Sequence, residues 1–220
     1  MENNEQMPNE NQEVKATISY EVKNFYKGDF KEIFLNFFRN PIDGIFSIFQ
    51  KPSEKAYLQS LILYASVFIL YFIMSYLLAG DMRKYVDFAV FIKTGLVPVI
   101  MMFIITILSF GLKSISGKPE FKNELLTGGL CAIPLGLLMI VLLVIKLFVS
   151  DSNVMTFLSD PTHTGVIGGM LLFYIILMLI NVFQQSLKAS GTKDAMAWYL
   201  SPASILLSMY LTFEITKSLF

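Results

Sequence analysis

The chain has 220 residues, of which 55% are hydrophobic and 15% are charged. Soluble domains carry about 25% charged residues, so this composition and a mean hydropathy of +0.60 weigh against a cytosolic enzyme. Seventeen Lys and Arg balance 17 Asp and Glu, which leaves no basic field for nucleic acid. One Cys and one His cannot form an intrachain disulfide or a Cys/His metal site, so we predict no metal site.

Charged residues are concentrated in the N-terminal quarter, where residues 1–55 hold 16 of the 34. The first 20 residues are rich in Glu, Asn and Gln, a composition that buries too little apolar surface to fold. We predict a disordered polar tail over residues 1–28, an amphipathic segment over 29–52 and a membrane domain over 53–220. The first 29 residues contain no apolar region typical of a signal peptide.

The amphipathic segment is predicted to form two short helices. Asp29 with Glu32 resembles a capping box at the first helix start, and Asn40-Pro41 separates the first helix from the second. Both helices are too short to span a bilayer, which takes about 20 residues. Their six Phe, interleaved with Lys and Arg, indicate helices lying at the membrane surface. The alternative is an apolar cover packed on the helical bundle, and the two are compatible.

Five long apolar stretches follow and predict five transmembrane helices, because backbone groups in lipid must be satisfied within a helix. None shows the period of two that a barrel strand requires. Ser53 is the expected cap of the first helix, and Ser201 with Pro202 is the expected start of the fifth. The predicted fold is an all-α polytopic bundle with an N-terminal amphipathic segment. The stretches cover about residues 57–79, 94–112, 125–149, 165–187 and 202–219.

Lys and Arg are distributed unequally between the two sides that five spans create. The N-terminal tail with the second and fourth loops carries 12, whereas the first loop, third loop and C-terminus carry 4. Cytoplasmic segments are enriched in these residues. We therefore predict a cytoplasmic N-terminus and an external C-terminus.

Three ionisable residues fall at or inside predicted spans and form a candidate intramembrane polar cluster. Lys93, Lys146 and Glu214 all lie towards the predicted outer face. Ionisable residues in spans are functional candidates because they are costly to insert. We expect Glu214 to face the bundle and pair with Lys146 or, as the second choice, Lys93. The alternative is snorkelling to the lipid headgroups.

Small residues recur at four-residue spacing in two predicted spans, and such rows let membrane helices approach closely. We expect both rows to be packing surfaces, with a pore lining as the alternative for the hydroxyl row. Pro98 and Pro134 are expected to kink their helices. The candidate packing residues are Gly128, Ala132 and Gly136 in the third span, and Ser204, Ser208 and Thr212 in the fifth.

The sequence contains no motif that supports an enzyme. The glycine-rich nucleotide-binding patterns, the GxSxG pattern and the HExxH pattern are all absent. We therefore predict a non-enzymatic protein with no catalytic residue and no cofactor.

The layout resembles the YIP family of Ypt/Rab-interacting membrane proteins, in its prokaryotic branch. The resemblance covers about residues 34–219 and includes a Phe-rich segment before five closely spaced spans. It implies a multi-span membrane protein in the cell membrane of a prokaryote and carries over no site residue. The matching stretches are FLNFFRNPIDGIFSIFQKPSE at 34–54, LTGGLCAIP at 126–134 and WYLSPAS at 198–204.

These observations favour a scaffold, adaptor or membrane organiser. Its expected partners are the lipid bilayer and other membrane proteins or further copies of itself, with no nucleic acid. The alternative function is a small oligomeric transporter or channel that uses the polar cluster and the hydroxyl row.

Overall fold

The structure is a computed structural model that describes residues 19–50, 52, 55–148 and 163–220. Every regular element in these ranges is helical, which confirms the predicted all-α class. Residues 19–24 are α-helical and continue into a π-helical stretch, Phe25–Asp29. The helices that follow are α1 Phe30–Arg39, α2 Asp43–Gln50, α3 Ala56–Ala79, α4 Phe88–Ser116, α5 Phe121–Leu130, α6 Ala132–Phe148, α7 His163–Ala189 and α8 Asp194–Lys217.

Five helical segments in the described ranges are long and apolar enough to cross a membrane. Four of them are α3, α4, α7 and α8, and the third in chain order combines α5 with α6. Large apolar side chains remain exposed along all of them, as expected where lipid rather than water surrounds the surface. The chain is therefore an integral membrane protein with the predicted number of spans.

The second span, α4, is the central helix of the bundle, because it packs against α3, α5, α7 and α8. The fourth span, α7, contacts α4, α5, α6 and α8 on one side and α2 on another. The core therefore lies between α4 and its neighbours, and the N-terminal helices join it through α2.

Pro134 breaks the third span, whereas Pro98 leaves the second span continuous. The helix is interrupted at Cys131, between α5 and α6. A proline ring clashes with the carbonyl four residues earlier and removes a backbone donor. For Pro134 that carbonyl belongs to Leu130, the last residue of α5, so the break lies where the clash is expected. No interruption accompanies Pro98 within α4.

The N-terminal boundary predicted from sequence was wrong for the residues that the structure describes. Residues 19–28 are helical rather than disordered, while residues 1–18 lie outside the described part. Asp29 is consequently in mid-helix and caps nothing with its side chain. The predicted interruption at Asn40-Pro41 is confirmed, because α1 ends at Arg39 and α2 begins at Asp43.

Two other predicted helix ends also differ from the structure. The fifth span begins at Asp194 rather than at Ser201-Pro202, since Pro202 is accommodated inside the helix. The second span begins at Phe88, where Asp87 accepts a hydrogen bond from the Ala89 amide at 3.1 Å and caps the helix. The predicted cap Ser53 and the predicted end of the third span near residue 149 lie outside the described residues.

Candidate functional site

A buried ion pair joins the second and third spans at the end of the bundle where α3 begins. The Lys113 Nζ lies 2.8 Å from one Glu124 carboxylate oxygen and 3.0 Å from the other. Their side chains are 8% and 7% exposed. Two opposite charges this deeply buried stabilise each other only when hydrogen bonds also satisfy their remaining polar atoms.

Hydroxyl groups from three spans satisfy this pair. Ser109 of α4 donates to Glu124 at 2.8 Å, and Lys113 donates to Ser186 of α7 at 2.8 Å. Ser186 in turn lies 2.6 Å from the Thr127 hydroxyl of α5. All five residues are buried, and we call them the polar network. The network ties α4, α5 and α7 together.

Sequence reasoning missed this network because both ions lie one residue beyond the predicted span ends, at Leu112 and Leu125. The Lys and Arg count therefore places Lys113 in the second loop, and the sequence analysis assigns Glu124 no role. A usable signal was nevertheless present. Ser109 and Lys113 are four residues apart, and Glu124 and Thr127 are three apart, so the members of each pair lie on one face of their helix. A short connection joins the two helices.

The N-terminal segment, residues 19–50, packs on the bundle beside the polar network. The Phe49 ring of α2 lies 5.9 Å from the Lys113 Nζ, at cation–π distance. The Asn181 side chain of α7 donates to the Pro41 carbonyl at 2.6 Å. Phe37 and Ile45 are 1% and 0% exposed. Packing of the segment on the helical bundle is therefore confirmed, and its position at the membrane surface stays a prediction.

Polar contacts hold the first half of the N-terminal segment across α3. Glu21 forms an ion pair with Lys55 at 2.7 Å, and this hydrogen bond raises the pKa of the Lys55 ammonium. Gln59 donates to Asp29 at 2.7 Å, while the Tyr26 hydroxyl bonds to that of Ser66. Ser66 lies about 10 Å further along α3 than Gln59. The Tyr26 side chain therefore contacts α3 nearer the middle of the span than Asp29 does.

Aromatic and basic side chains lie on adjacent sides of this helix. Tyr26, Phe30, Phe34 and Phe38 form an aromatic row in which successive rings lie 4.6 to 5.9 Å apart. Three exposed lysines run beside it at four-residue spacing, and we call them the lysine row: Lys23, Lys27 and Lys31. A basic face beside an aromatic face is typical of helices at a membrane interface.

The candidate cluster of Lys93, Lys146 and Glu214 is not brought together. Glu214 is exposed and pairs with Lys217, one turn away on its own helix, at 2.7 Å. Lys146 donates to the carbonyls of Leu77 and Leu78, at 2.9 Å for Leu78. The expected Glu214–Lys146 pair was therefore wrong, because each ion has a nearer partner.

Lys146 and Lys93 both find partners near helix ends. The carbonyls that Lys146 binds belong to the last turn of α3, where unpaired carbonyls and the helix dipole attract cations. The Lys93 Nζ lies 5.8 Å from the Phe220 ring, at cation–π distance.

The small-residue row of the third span is a close helix contact at its first member. A Cβ on Gly128 would overlap the Tyr64 hydroxyl, the Thr106 hydroxyl and the Met102 carbonyl. Tyr64 uses that space to donate to Met102 at 3.0 Å. Ala132 is 5% exposed. A Cβ on Gly136 would make ordinary contact with Leu70, at 3.5 Å.

The hydroxyl row of α8 is a packing face. Ser204, Ser208 and Thr212 are buried, and α8 packs against α4 and α7. Ser208 donates to the Ile205 carbonyl and Thr212 to the Ser208 carbonyl, both at 2.7 Å. The hydroxyl protons of Ser208 and Thr212 are therefore engaged within their own helix.

The geometry supplies an interaction surface more readily than reactive chemistry. Across the described ranges, no three His, Cys, Asp or Glu side chains lie close enough to hold a metal ion. In comparisons with family models, with curated proteins and with solved structures, the chain gives no match. The N-terminal segment and the polar network are therefore the candidate functional features of the described residues.

Proposed function

We propose that this protein is a non-enzymatic membrane adaptor or organiser whose working surface is the N-terminal segment. The observation that carries the proposal is the fixed docking of this segment on the bundle, through Phe37, Ile45 and the Asn181 contact. A disordered tail would present no defined surface, whereas these contacts hold one in place. The resemblance to the prokaryotic branch of the YIP family remains part of the proposal and rests on the sequence alone.

The opposite side of the segment stays free for partners. Leu35 is 51% exposed and Ile42 58% exposed, next to the basic Arg39, which is also exposed. Exposed apolar residues beside basic ones fit a surface that meets lipid headgroups or another membrane protein. Partners would therefore contact the segment where it leaves the bundle.

The proposed orientation places the N-terminal segment in the cytoplasm and the C-terminus outside, in a prokaryotic cell membrane. Its support is the 12-to-4 distribution of Lys and Arg. The test is cysteine labelling in a Cys131→Ala background with Tyr85→Cys in the first loop and Lys118→Cys in the second. An impermeant thiol reagent added to intact cells should label position 85 alone. Labelling of both positions, or of position 118 alone, would overturn the orientation.

The adaptor role is tested by crosslinking and affinity capture from native membranes, with mass spectrometry of the captured proteins. Phe37→Ala removes a buried ring that docks the segment, and Phe213→Ala removes an exposed ring from α8 as a matched control. A partner set that the wild type and Phe213→Ala share, and that Phe37→Ala loses, supports the proposal. Equal capture by all three proteins would contradict it.

A transporter is the second candidate, favoured by the ion pair between Lys113 and Glu124 inside the spans. Proton flux into proteoliposomes, followed with a pH-sensitive dye, separates the two functions. Flux above that of protein-free vesicles, and lost in Glu124→Gln, would favour transport. Flux equal to that of protein-free vesicles would favour the adaptor.

A further inference from the structure

An apolar groove lies between the N-terminal segment and the first and third spans. Its volume is about 180 Å³, and almost all of its lining is apolar. An apolar cavity of roughly 150 Å³ accommodates a ligand the size of benzene, so a stretch of hydrocarbon chain fits this space. The lining includes Tyr26, Phe30 and Phe34 from the segment, Leu70 from α3, and Gly136 and Ile140 from α6.

The groove is continuous with the surface that faces lipid. Phe34 at its rim is 43% exposed, and Ile140 on the opposite wall is 49% exposed. Ile69 and Ile73, on the neighbouring turns of α3, are also exposed. The opening therefore lies at a depth where hydrocarbon tails, rather than water, surround the protein.

Positive charge lines the same helix beside the groove. In the lysine row, Lys27 and Lys31 immediately follow the groove residues Tyr26 and Phe30. Of the nearby acids, Glu21 pairs with Lys55 and Asp29 accepts from Gln59, so the three lysines of the row outnumber the one remaining acid, the exposed Glu32. Long lysine side chains beside an apolar site can extend to the headgroup level.

We propose that this groove binds one anionic phospholipid, with an acyl chain between the aromatic row and α6 and the headgroup at Lys27 and Lys31. The apolar walls select a hydrocarbon chain, and the unpaired lysine row selects negative charge. A zwitterionic lipid would satisfy the walls and gain less from the lysines. This inference stands apart from the adaptor proposal, because it concerns a lipid rather than a protein partner.

The test uses the full chain in nanodiscs that contain equal amounts of phosphatidylglycerol and phosphatidylcholine. Native mass spectrometry after release from the nanodisc counts the lipids that each protein retains. Lys27→Gln with Lys31→Gln removes the headgroup charge, and Lys118→Gln with Lys193→Gln removes two exposed lysines elsewhere as a matched control. Gly136→Leu fills the groove.

We expect the wild type and the control to retain phosphatidylglycerol in preference to phosphatidylcholine. The preference should fall roughly fivefold for each lysine removed from the row, and Gly136→Leu should retain less of both lipids. Equal retention of both lipids by the wild type would overturn the proposal. An unchanged preference in the Lys27/Lys31 variant would overturn it as well, and this variant alters exposed side chains only.

Discussion

Lys113→Met is expected to destabilise the protein strongly, because it leaves the Glu124 carboxylate buried without its cation. The Glu124 side chain is 7% exposed, and its remaining donors, Ser109 and Thr127, are neutral. Breaking a buried ion pair from one side costs about 3–5 kcal/mol. Since folded proteins are stable by about 5–15 kcal/mol in total, this variant should lose about a fifth or more of its free energy of unfolding.

A double variant separates the free energy of the lost ion-pair attraction from the cost of leaving one charge buried and unpaired. In Lys113→Met with Glu124→Met, no charge remains buried, so much of the loss should be recovered. The two substitutions should therefore be strongly non-additive, with a coupling energy of about 2–3 kcal/mol. A double-mutant cycle with Glu124→Met alone completes the measurement.

The chain offers a matched control in the exposed pair Lys217–Glu214. This pair has the same chemistry and a separation of 2.7 Å, but its side chains are 53% and 42% exposed. Exposed ion pairs contribute about 0–1 kcal/mol. Lys217→Met and Glu214→Met should therefore change stability little, both singly and together.

Equilibrium unfolding in mixed detergent micelles, followed by far-ultraviolet circular dichroism, gives the free energy of each variant. The reasoning predicts a large coupling energy for Lys113–Glu124 and a small one for Lys217–Glu214. Coupling energies of equal size for the two pairs would refute the claim that burial sets the importance of the polar network.

Three further predictions concern two close packing contacts and one helix cap. Gly128→Ala should destabilise the bundle by about 1–3 kcal/mol through overpacking, whereas Gly136→Ala, which has room for a methyl group, should not; thermal unfolding in detergent distinguishes them. Gly44→Ala should loosen the contact of α2 with α1, because its Cβ would overlap the α1 backbone, and limited proteolysis should then cut the N-terminal segment faster than in Gly28→Ala. Asp87→Ala should cost about 1 kcal/mol by removing the α4 cap, measured in the same unfolding assay.

The sequence was sufficient to predict the five spans and the interruption at Asn40-Pro41. Apolar runs of about 20 residues have one stable form in lipid, and the Asn-Pro pair ends a helix by local sterics alone. The start of α8 was placed too late, since Pro202 was taken as a first-turn residue. A membrane helix tolerates proline when neighbouring groups satisfy the freed carbonyl, so local sequence did not determine that end.

Tertiary contacts account for the remaining errors. Glu214 has Lys217 one turn away, and Lys146 has two carbonyls at the end of α3, so neither needs the distant partner that its predicted depth suggests. The pairing of Lys113 with Glu124 depends on α4 and α5 meeting side by side after a short connection. A count of Lys and Arg residues contains no information about which helices meet. It therefore places Lys113 in a loop.

The proposed adaptor function depends on the docked position of the N-terminal segment. Zero-length crosslinking in native membranes is a direct test of that position. A carbodiimide joins a carboxylate and an amine that are already in contact, as Glu21 and Lys55 are at 2.7 Å. We expect an amide crosslink between them, identified by peptide mass spectrometry and lost in Glu21→Gln. We also expect a lower yield in Phe37→Ala, in which the segment is released. Absence of this crosslink in the wild type, or an equal yield in Phe37→Ala, would contradict the docked position.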